Sequence, residues 1–167
     1  IPCYNEKSTI ETLIANVQSA EPKNKKIIII DDFSNDGSRD ILKSYETYSD
    51  IDVIYHDKNF GKGRAIRSGI KKVEEGLILI QDADLEYNPR DYKKLLKPFE
   101  EAKADVVYGS RFLGVSDRRV LYFWHTVGNK ILTLLSNMFS NLNLTDMEVC
   151  YKAFKSDVIK NINIEEN

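Results

Sequence analysis

Lys26-Ile27-Ile28-Ile29-Ile30-Asp31-Asp32-Phe33-Ser34-Asn35-Asp36-Gly37-Ser38 is the stretch from which the fold can be read. A strand with one face in water alternates apolar and polar residues. An unbroken apolar run indicates a strand covered on both faces. The run stops at two adjacent aspartates, and Asp36 or Ser38 suits the cap of a following helix.

The same alternation of apolar run and helical period continues to either side. Ile51–His56, Leu77–Gln81 and Asp105–Gly109 read as further strands. Apolar residues at helical spacing recur in four places. They are Ile10, Leu13, Ile14, Val17; Ile41, Leu42, Tyr45, Tyr48; Ile66, Gly69, Ile70, Val73; and Tyr92, Leu95, Leu96, Phe99. Ser8-Thr9-Ile10-Glu11 fits a capping box, and Asn88-Pro89 fits a capped helix start. Strands alternating with helices imply parallel pairing through right-handed crossovers. The expected fold is therefore α/β, a doubly wound, mostly parallel sheet with helices on both faces. Such sheets bind ligands at the carboxyl ends of their strands. Pro2-Cys3-Tyr4-Asn5-Glu6, Asp31-Asp32, Asp57–Gly63 and Asp82-Ala83-Asp84 all fall at those ends. After residue 110 the pattern changes, and Leu121–Phe139 reads as one or two apolar, aromatic helices beside the site.

The 167 residues suit one domain, and 42% hydrophobic content is enough for a packed core. With 24 basic and 26 acidic residues, the net charge of −2 gives no electrostatic footprint for nucleic acid. A phosphate-bearing substrate would need local positive charge or a cation. Cys3 and Cys150 are too few for a disulfide framework and read as reduced thiols of a cytosolic protein. No apolar run of membrane-spanning length is present. The ends read as those of a fragment that lacks the start of the first strand and a C-terminal segment.

Several groups could carry chemistry. Asp82 and Asp84 flank one residue after a buried strand, where alternate side chains share a side. Two close carboxylates repel unless a cation lies between them. Mg²⁺ or Mn²⁺ takes oxygen ligands and is often completed by substrate phosphate. Glu86 extends the alternation as a further ligand. An acidic turn ahead of the Pro89 helix is the competing reading. Asp31 and Asp32 suit nucleobase N–H groups or ribose hydroxyls, or a plain helix cap. Asn59-Phe60-Gly61-Lys62-Gly63-Arg64 is a glycine-rich loop entering a helix. It suits phosphate, with Lys62 and Arg64 near a diphosphate, or only a tight turn. Arg111 and Arg118-Arg119 could grip an anionic group. Asp146 could be a base or a helix cap. His56 and His125 have no evident partners and read as structural.

Together these segments resemble the family 2 glycosyltransferases of GT-A fold, and within them the dolichyl-phosphate mannose synthase and polyprenyl-phosphate glycosyltransferase branch. The stretches are IPCYNE (1–6), IIIIDDFSNDGS (27–38), NFGKGRAIRSG (59–69), QDADLEY (81–87), GSR (109–111) and TDMEVCYKAF (145–154). The resemblance implies that Pro2, Tyr4, Glu6 and Asp32 contact the nucleoside. It implies that Asp82 and Asp84 hold Mg²⁺ or Mn²⁺ and the donor diphosphate, with Glu86 at a further metal-ligand position. Arg111 and the 118–119 region would lie near the acceptor, and Asp146 at the position of a base. The implied reaction is inverting transfer from a nucleotide-diphosphate sugar to a polyprenyl phosphate. It would take place at the cytoplasmic face of a membrane, reached through the 121–139 region or a C-terminal segment. A saccharide-hydroxyl acceptor, a sugar-nucleotide nucleotidyltransferase and a non-catalytic nucleotide-binding module are the alternatives.

Overall fold

The computed structural model of the chain describes residues 1–110 and 122–164. Three strands, β1 (Pro2–Cys3), β2 (Ile27–Asp31) and β3 (Ile51–Tyr55), lie side by side in chain order. All pairings among them are parallel, with Ile30 between Pro2 and Ile54. A second three-stranded sheet has the order β4 (Leu77–Ile80), β6 (Lys152–Lys155), β5 (Val106–Tyr108). Here β6 is antiparallel to both neighbours, and Phe154 sits between Ile78 and Val106. The sequence pattern anticipated parallel pairing and gave no strand after β5. Lys-Ala-Phe-Lys is too short to show a period, so β6 is specified by the two edges that receive it.

The isoleucine run behaves as expected of a strand covered on both faces. Ile27 and Ile29 join Ile10, Leu13, Ile14 and Val17 of α1 (Ile10–Ser19) and Leu42 of α2 (Ser38–Lys43) in one core. Ile30 points the other way, toward Gly69 of α3 (Lys62–Lys72). On that side Ile70 packs with Phe154 of β6 and Ile159 of α6 (Ser156–Lys160). Tyr92 and Leu95 of α4 (Tyr92–Glu101) close the first core. An apolar cleft of about 840 Å³, lined in part by Ile28, Ile30, Ile66, Ile78 and Ile80, runs between β2 and β4.

Helix starts differ in part from expectation. The capping box does not form. Thr9 is the N-cap, and its hydroxyl donates to the Glu6 carboxylate at 2.5 Å instead of capping α1. Glu6, not Glu11, is the carboxylate within reach. Asn88 does cap as expected, accepting from Arg90 N at 3.1 Å ahead of Pro89. Asp36 accepts from Ser38 N at 2.9 Å at the start of α2. That helix ends at Lys43, and Tyr45 N and Tyr48 N bond to carbonyls only three residues back.

The largest departure is α5 (Phe123–Ser140), a single helix. Its buried residues are the polar Asn129 and Thr133, while Trp124 is 77% and Phe139 88% exposed. Its polar stripe faces the protein and much of its apolar surface faces out. Among the described residues no helix is long and apolar enough to cross a membrane.

Close packing at Gly69 gives a test of the layer arrangement. A Cβ there would lie 2.8 Å from Ile30 Cδ1, whereas one at Gly128 of α5 would meet nothing within 4 Å. Gly69→Val should therefore cost about 2 kcal/mol through overpacking. Gly128→Ala should raise stability by roughly 0.5–1 kcal/mol through helix propensity. Urea denaturation of both variants checks the pair.

Candidate active site

The loops after β1 and β2 are stitched together by side chains. Asn5 N donates to Ser34 Oγ at 2.9 Å, Glu6 N to Ser38 Oγ at 2.8 Å and Lys7 N to Asp36 Oδ2 at 2.9 Å. Three successive backbone donors thus find acceptors in the segment Ser34–Ser38. Asn5 itself has φ +56°, a left-handed turn that swings the chain back over β2. Tyr4 stands half-exposed at the mouth of the resulting cleft.

Asp31 and Asp32 are both buried. Asp31 Oδ2 accepts from Arg39 Nε at 2.5 Å, and Oδ1 accepts from Ser34 N at 3.3 Å. Asp32 faces the glycine-rich loop instead. Its carboxylate accepts from Phe60 N at 3.0 and 3.1 Å and from Gly61 N at 2.7 Å. His56 Nδ1 lies 2.6 Å from Asp32 Oδ1. The start of α3 is therefore anchored by the protein's own carboxylate. Gly61 has φ +88°, so a side chain there would be strained.

On the opposite wall, β4 ends at Ile80, so Asp82-Ala83-Asp84 lies in the loop beyond it, not in the strand. Both aspartates still line the cleft, because Ala83 packs into the core between them. Gln81 fixes this loop from beneath. It is fully buried, its Oε1 accepts from Tyr92 Oη at 2.9 Å and Tyr151 Oη at 2.7 Å, and its Nε2 donates to Asp82 O at 3.0 Å. Leu85 then turns with φ +61°, and Glu86 N closes onto Asp84 Oδ1 at 3.0 Å. That turn ends the alternation expected to bring Glu86 alongside, and Glu86 does not line the cleft.

Lys62, first residue of α3, reaches across the cleft to Asp82 Oδ1 at 2.6 Å and lies 3.8 Å from Cys150 Sγ. Burial alone would lower the Lys62 pKa. The bond to Asp82 and the surrounding negative charge outweigh it and leave the ammonium above its ordinary value. Burial, then the neighbouring Asp82, push the Cys150 thiol up to about 12. Pro2, Cys3, Tyr4, Glu6, Asp32, Gly61, Lys62, Asp82 and Asp84 thus meet around one open cleft of about 360 Å³. Among the described residues no three His, Cys, Asp or Glu side chains form a ready metal cluster. Two carboxylates on one wall nonetheless suit a hard cation that draws its other ligands from phosphate and water. The Lys62 ammonium already occupies the position of a positive charge beside Asp82.

The candidate acid–base residue lies elsewhere. Asp146 is buried, its Oδ1 accepts from Asn129 Nδ2 of α5 at 3.1 Å, and it does not line the cleft. Arg111, Arg118 and Arg119 lie outside the described residues. His56 and Gln81 are the contributors that sequence reasoning missed. His56 has two polar partners, contrary to its reading as an unpartnered residue. For Gln81 the available signal was an amide ending an otherwise apolar strand. Among the described residues His125 has a ring contact to Tyr122 at 5.9 Å between centroids.

Residues 1–162 match the family described as glycosyl transferase family 2. The chain belongs to this family. A curated relative is the UDP-N-acetylglucosamine–dolichyl-phosphate N-acetylglucosaminyltransferase of Methanococcus voltae, 28% identical over 96% of the chain and 69% of the relative. A mannosyltransferase from Pyrobaculum calidifontis, solved with GDP-Man and Mn²⁺, superposes with TM-score 0.67 at 17% identity, over 95% of the chain and 44% of the other. A glucosyl-3-phosphoglycerate synthase from Mycobacterium tuberculosis, solved with Mn²⁺, UDP-Glc and phosphoglyceric acid, superposes with TM-score 0.72 at 16% identity, over 96% of the chain and 56% of the other. These two superpositions establish the GT-A fold, and the chain spans about half of each solved structure. The family 2 domain is thus an enzyme domain whose carboxyl-end cleft holds the motif residues.

Two outcomes test this geometry. Gln81→Leu leaves two buried phenols and a backbone carbonyl short of partners, so it should cost about 2–4 kcal/mol in denaturant unfolding. Both cysteines are free, and their thiols are pushed up to about 12, chiefly by burial. At pH 8 the thiolate fraction is then of order one in ten thousand. Iodoacetamide should leave the native protein unmodified and alkylate both thiols in denaturant, as read by mass spectrometry.

Proposed function

We propose that the chain is the catalytic domain of an inverting, metal-dependent glycosyltransferase. It moves a sugar from a nucleotide-diphosphate sugar to a polyprenyl phosphate. The observation that carries this reading is the meeting of four loops in one cleft. Nucleoside-facing residues (Pro2, Tyr4, Glu6, Asp32) form one wall, and Asp82 and Asp84 form the other, with Lys62 between.

In this reading Asp82 and Asp84 hold Mg²⁺ or Mn²⁺, and Glu86, turned out of the cleft lining, is not a ligand. The bound cation would neutralise charge that builds on the departing diphosphate. Lys62 supplies a second positive charge on the same side. Tyr4 presents an exposed ring for a base to stack on, and Glu6 and Asp32 sit within the same wall. Arg111 is assigned to the acceptor side by sequence alone.

The acceptor assignment draws on two supports. The Methanococcus relative is named for transfer to a dolichyl phosphate. The apolar side chains exposed on α5, with no acidic residue from Tyr122 to Thr145, offer a surface compatible with lipid. Such a surface would seat the domain at the cytoplasmic face of a membrane. A phosphate acceptor is anionic at neutral pH and needs no strong base. Asp146, held by Asn129 away from the cleft, then organises α5 and does not act on the acceptor.

The test is a transfer assay with UDP- and GDP-linked sugars, Mn²⁺, and either a short polyprenyl phosphate or free saccharides. Product should form on the lipid phosphate and vanish with a chelator. Asp84→Asn should lower kcat about hundredfold, the size of loss expected when a charge-stabilising group is removed. Transfer confined to saccharide hydroxyls would refute the lipid-phosphate acceptor. An unchanged Asp84→Asn rate would refute the metal assignment.

A further inference from the structure

His56 sits just beyond β3 and is fixed on every side. Its N–H donates to Asp31 O at 2.9 Å, and its carbonyl accepts from Arg39 Nη2 at 2.6 Å. Its side chain is almost fully buried, yet both ring nitrogens have partners. Nδ1 lies 2.6 Å from Asp32 Oδ1, and Nε2 lies 2.9 Å from Ser68 Oγ. A carboxylate only accepts, so Nδ1 carries a proton, and the tautomer follows from the partners. The Phe60 ring meets the imidazole edge-on, with centroids 5.3 Å apart.

These contacts connect the two elements that flank the cleft. Asp32 ends the β2 side, and Ser68 belongs to α3, the helix that begins at Lys62. The Phe60 and Gly61 amides land on the same carboxylate that His56 holds. The imidazole therefore sets the rotation of the Asp32 carboxylate. Through it, the imidazole sets the placement of the glycine loop and the first turn of α3. Removing the Nδ1 donor frees that carboxylate to turn, and Gly61 and Lys62 are the nearest cleft-lining groups affected.

We infer that His56 is a positioning residue for donor binding: it locks Asp32 and the α3 start in the arrangement that receives the nucleoside diphosphate, without touching the donor. The inference rests on the reading of the cleft as a nucleotide-sugar site. It concerns donor affinity and not the chemical step, because its partners are on the nucleoside side of the cleft.

The experiment compares His56→Leu, His56→Asn and Ser68→Ala in the full chain. The readouts are calorimetric affinity for UDP and GDP with Mn²⁺, donor KM, kcat and melting temperature. The asparagine amide falls near the position of imidazole Nδ1 and keeps the bond to Asp32, whereas leucine cannot. His56→Leu should weaken nucleotide binding and raise donor KM about tenfold, with kcat within about twofold. His56→Asn should recover most of that affinity. Ser68→Ala, which leaves the ring with one anchor, should show a smaller loss in the same direction. Equal losses in the Leu and Asn variants, or a lower melting temperature with unchanged affinity, would reduce His56 to a packing residue and overturn the inference. Should the Leu variant not fold, unchanged affinity in Ser68→Ala overturns it instead. A wild-type chain that binds neither UDP nor GDP removes the donor-site reading itself, an outcome separate from any difference among variants.

Discussion

Two adjacent carboxylates buried at the end of β2 are the constraint on which the cleft depends. Burying an ionised carboxylate costs several kcal/mol unless its lone pairs are met. Because neighbouring side chains of a strand point to opposite faces, Asp31 and Asp32 cannot share partners. Each recruits its own. Asp31 takes Arg39 and the backbone of Ser34, which fixes α2 and the loop ahead of it. Asp32 takes the amides of Phe60 and Gly61 and the His56 ring, which fixes α3. One dipeptide thereby ties both layers of helices to the same strand end.

The electrostatics of the opposite wall follow from a different balance. Asp82 is mostly buried, and its listener across the cleft is Lys62, itself half exposed. A pair with one exposed member is worth little in stability, on the order of 1 kcal/mol or less. It can therefore be rearranged at small cost when other charges arrive. The contrast with Asp32 is instructive. That carboxylate accepts from two backbone amides and faces the His56 ring, so it is held more firmly. Asp82 is bonded to the flexible Lys62 ammonium with the Cys150 thiol beside it, and Asp84 stands at the surface, so both can meet a ligand.

Much of this was legible in the sequence, and the reasons are physical. The burial of Ile10, Leu13, Ile14 and Val17 follows their helical spacing, and the isoleucine run was readable because cover on both faces removes alternation. The positions of Tyr4, Asp32, Lys62, Asp82 and Asp84 in one cleft follow from strand ends lying at one edge of the sheet. What escaped was non-local. β6 needs the edges of β4 and β5 before Lys152–Lys155 becomes a strand. His56 and Gln81 gain their meaning from partners across the fold, such as Tyr151, 70 positions from Gln81. The capping box read from Ser8 to Glu11 did not form because the helix starts one residue later, with Thr9 as N-cap, which puts that pair out of register.

The inverted burial of α5 links the fold to the acceptor question. A surface helix is expected to turn its apolar stripe inward. In α5 the inward residues are Asn129 and Thr133, and both are used. Asn129 donates to Asp146, Thr133 Oγ1 donates to Asn129 Oδ1 at 3.1 Å and accepts from Met147 N at 3.2 Å. Packing against the 146–147 turn therefore selects the polar stripe, and the apolar one is left outward by geometry. Polar networks of this kind fix one orientation, since rotating the helix would bury the apolar stripe only by breaking the Asn129–Asp146 and Thr133–Met147 bonds. The same carboxylate that the family resemblance would put at the position of a base is thus bonded to the helix that carries this apolar surface. That arrangement suits an acceptor that is anionic at one end and hydrocarbon at the other.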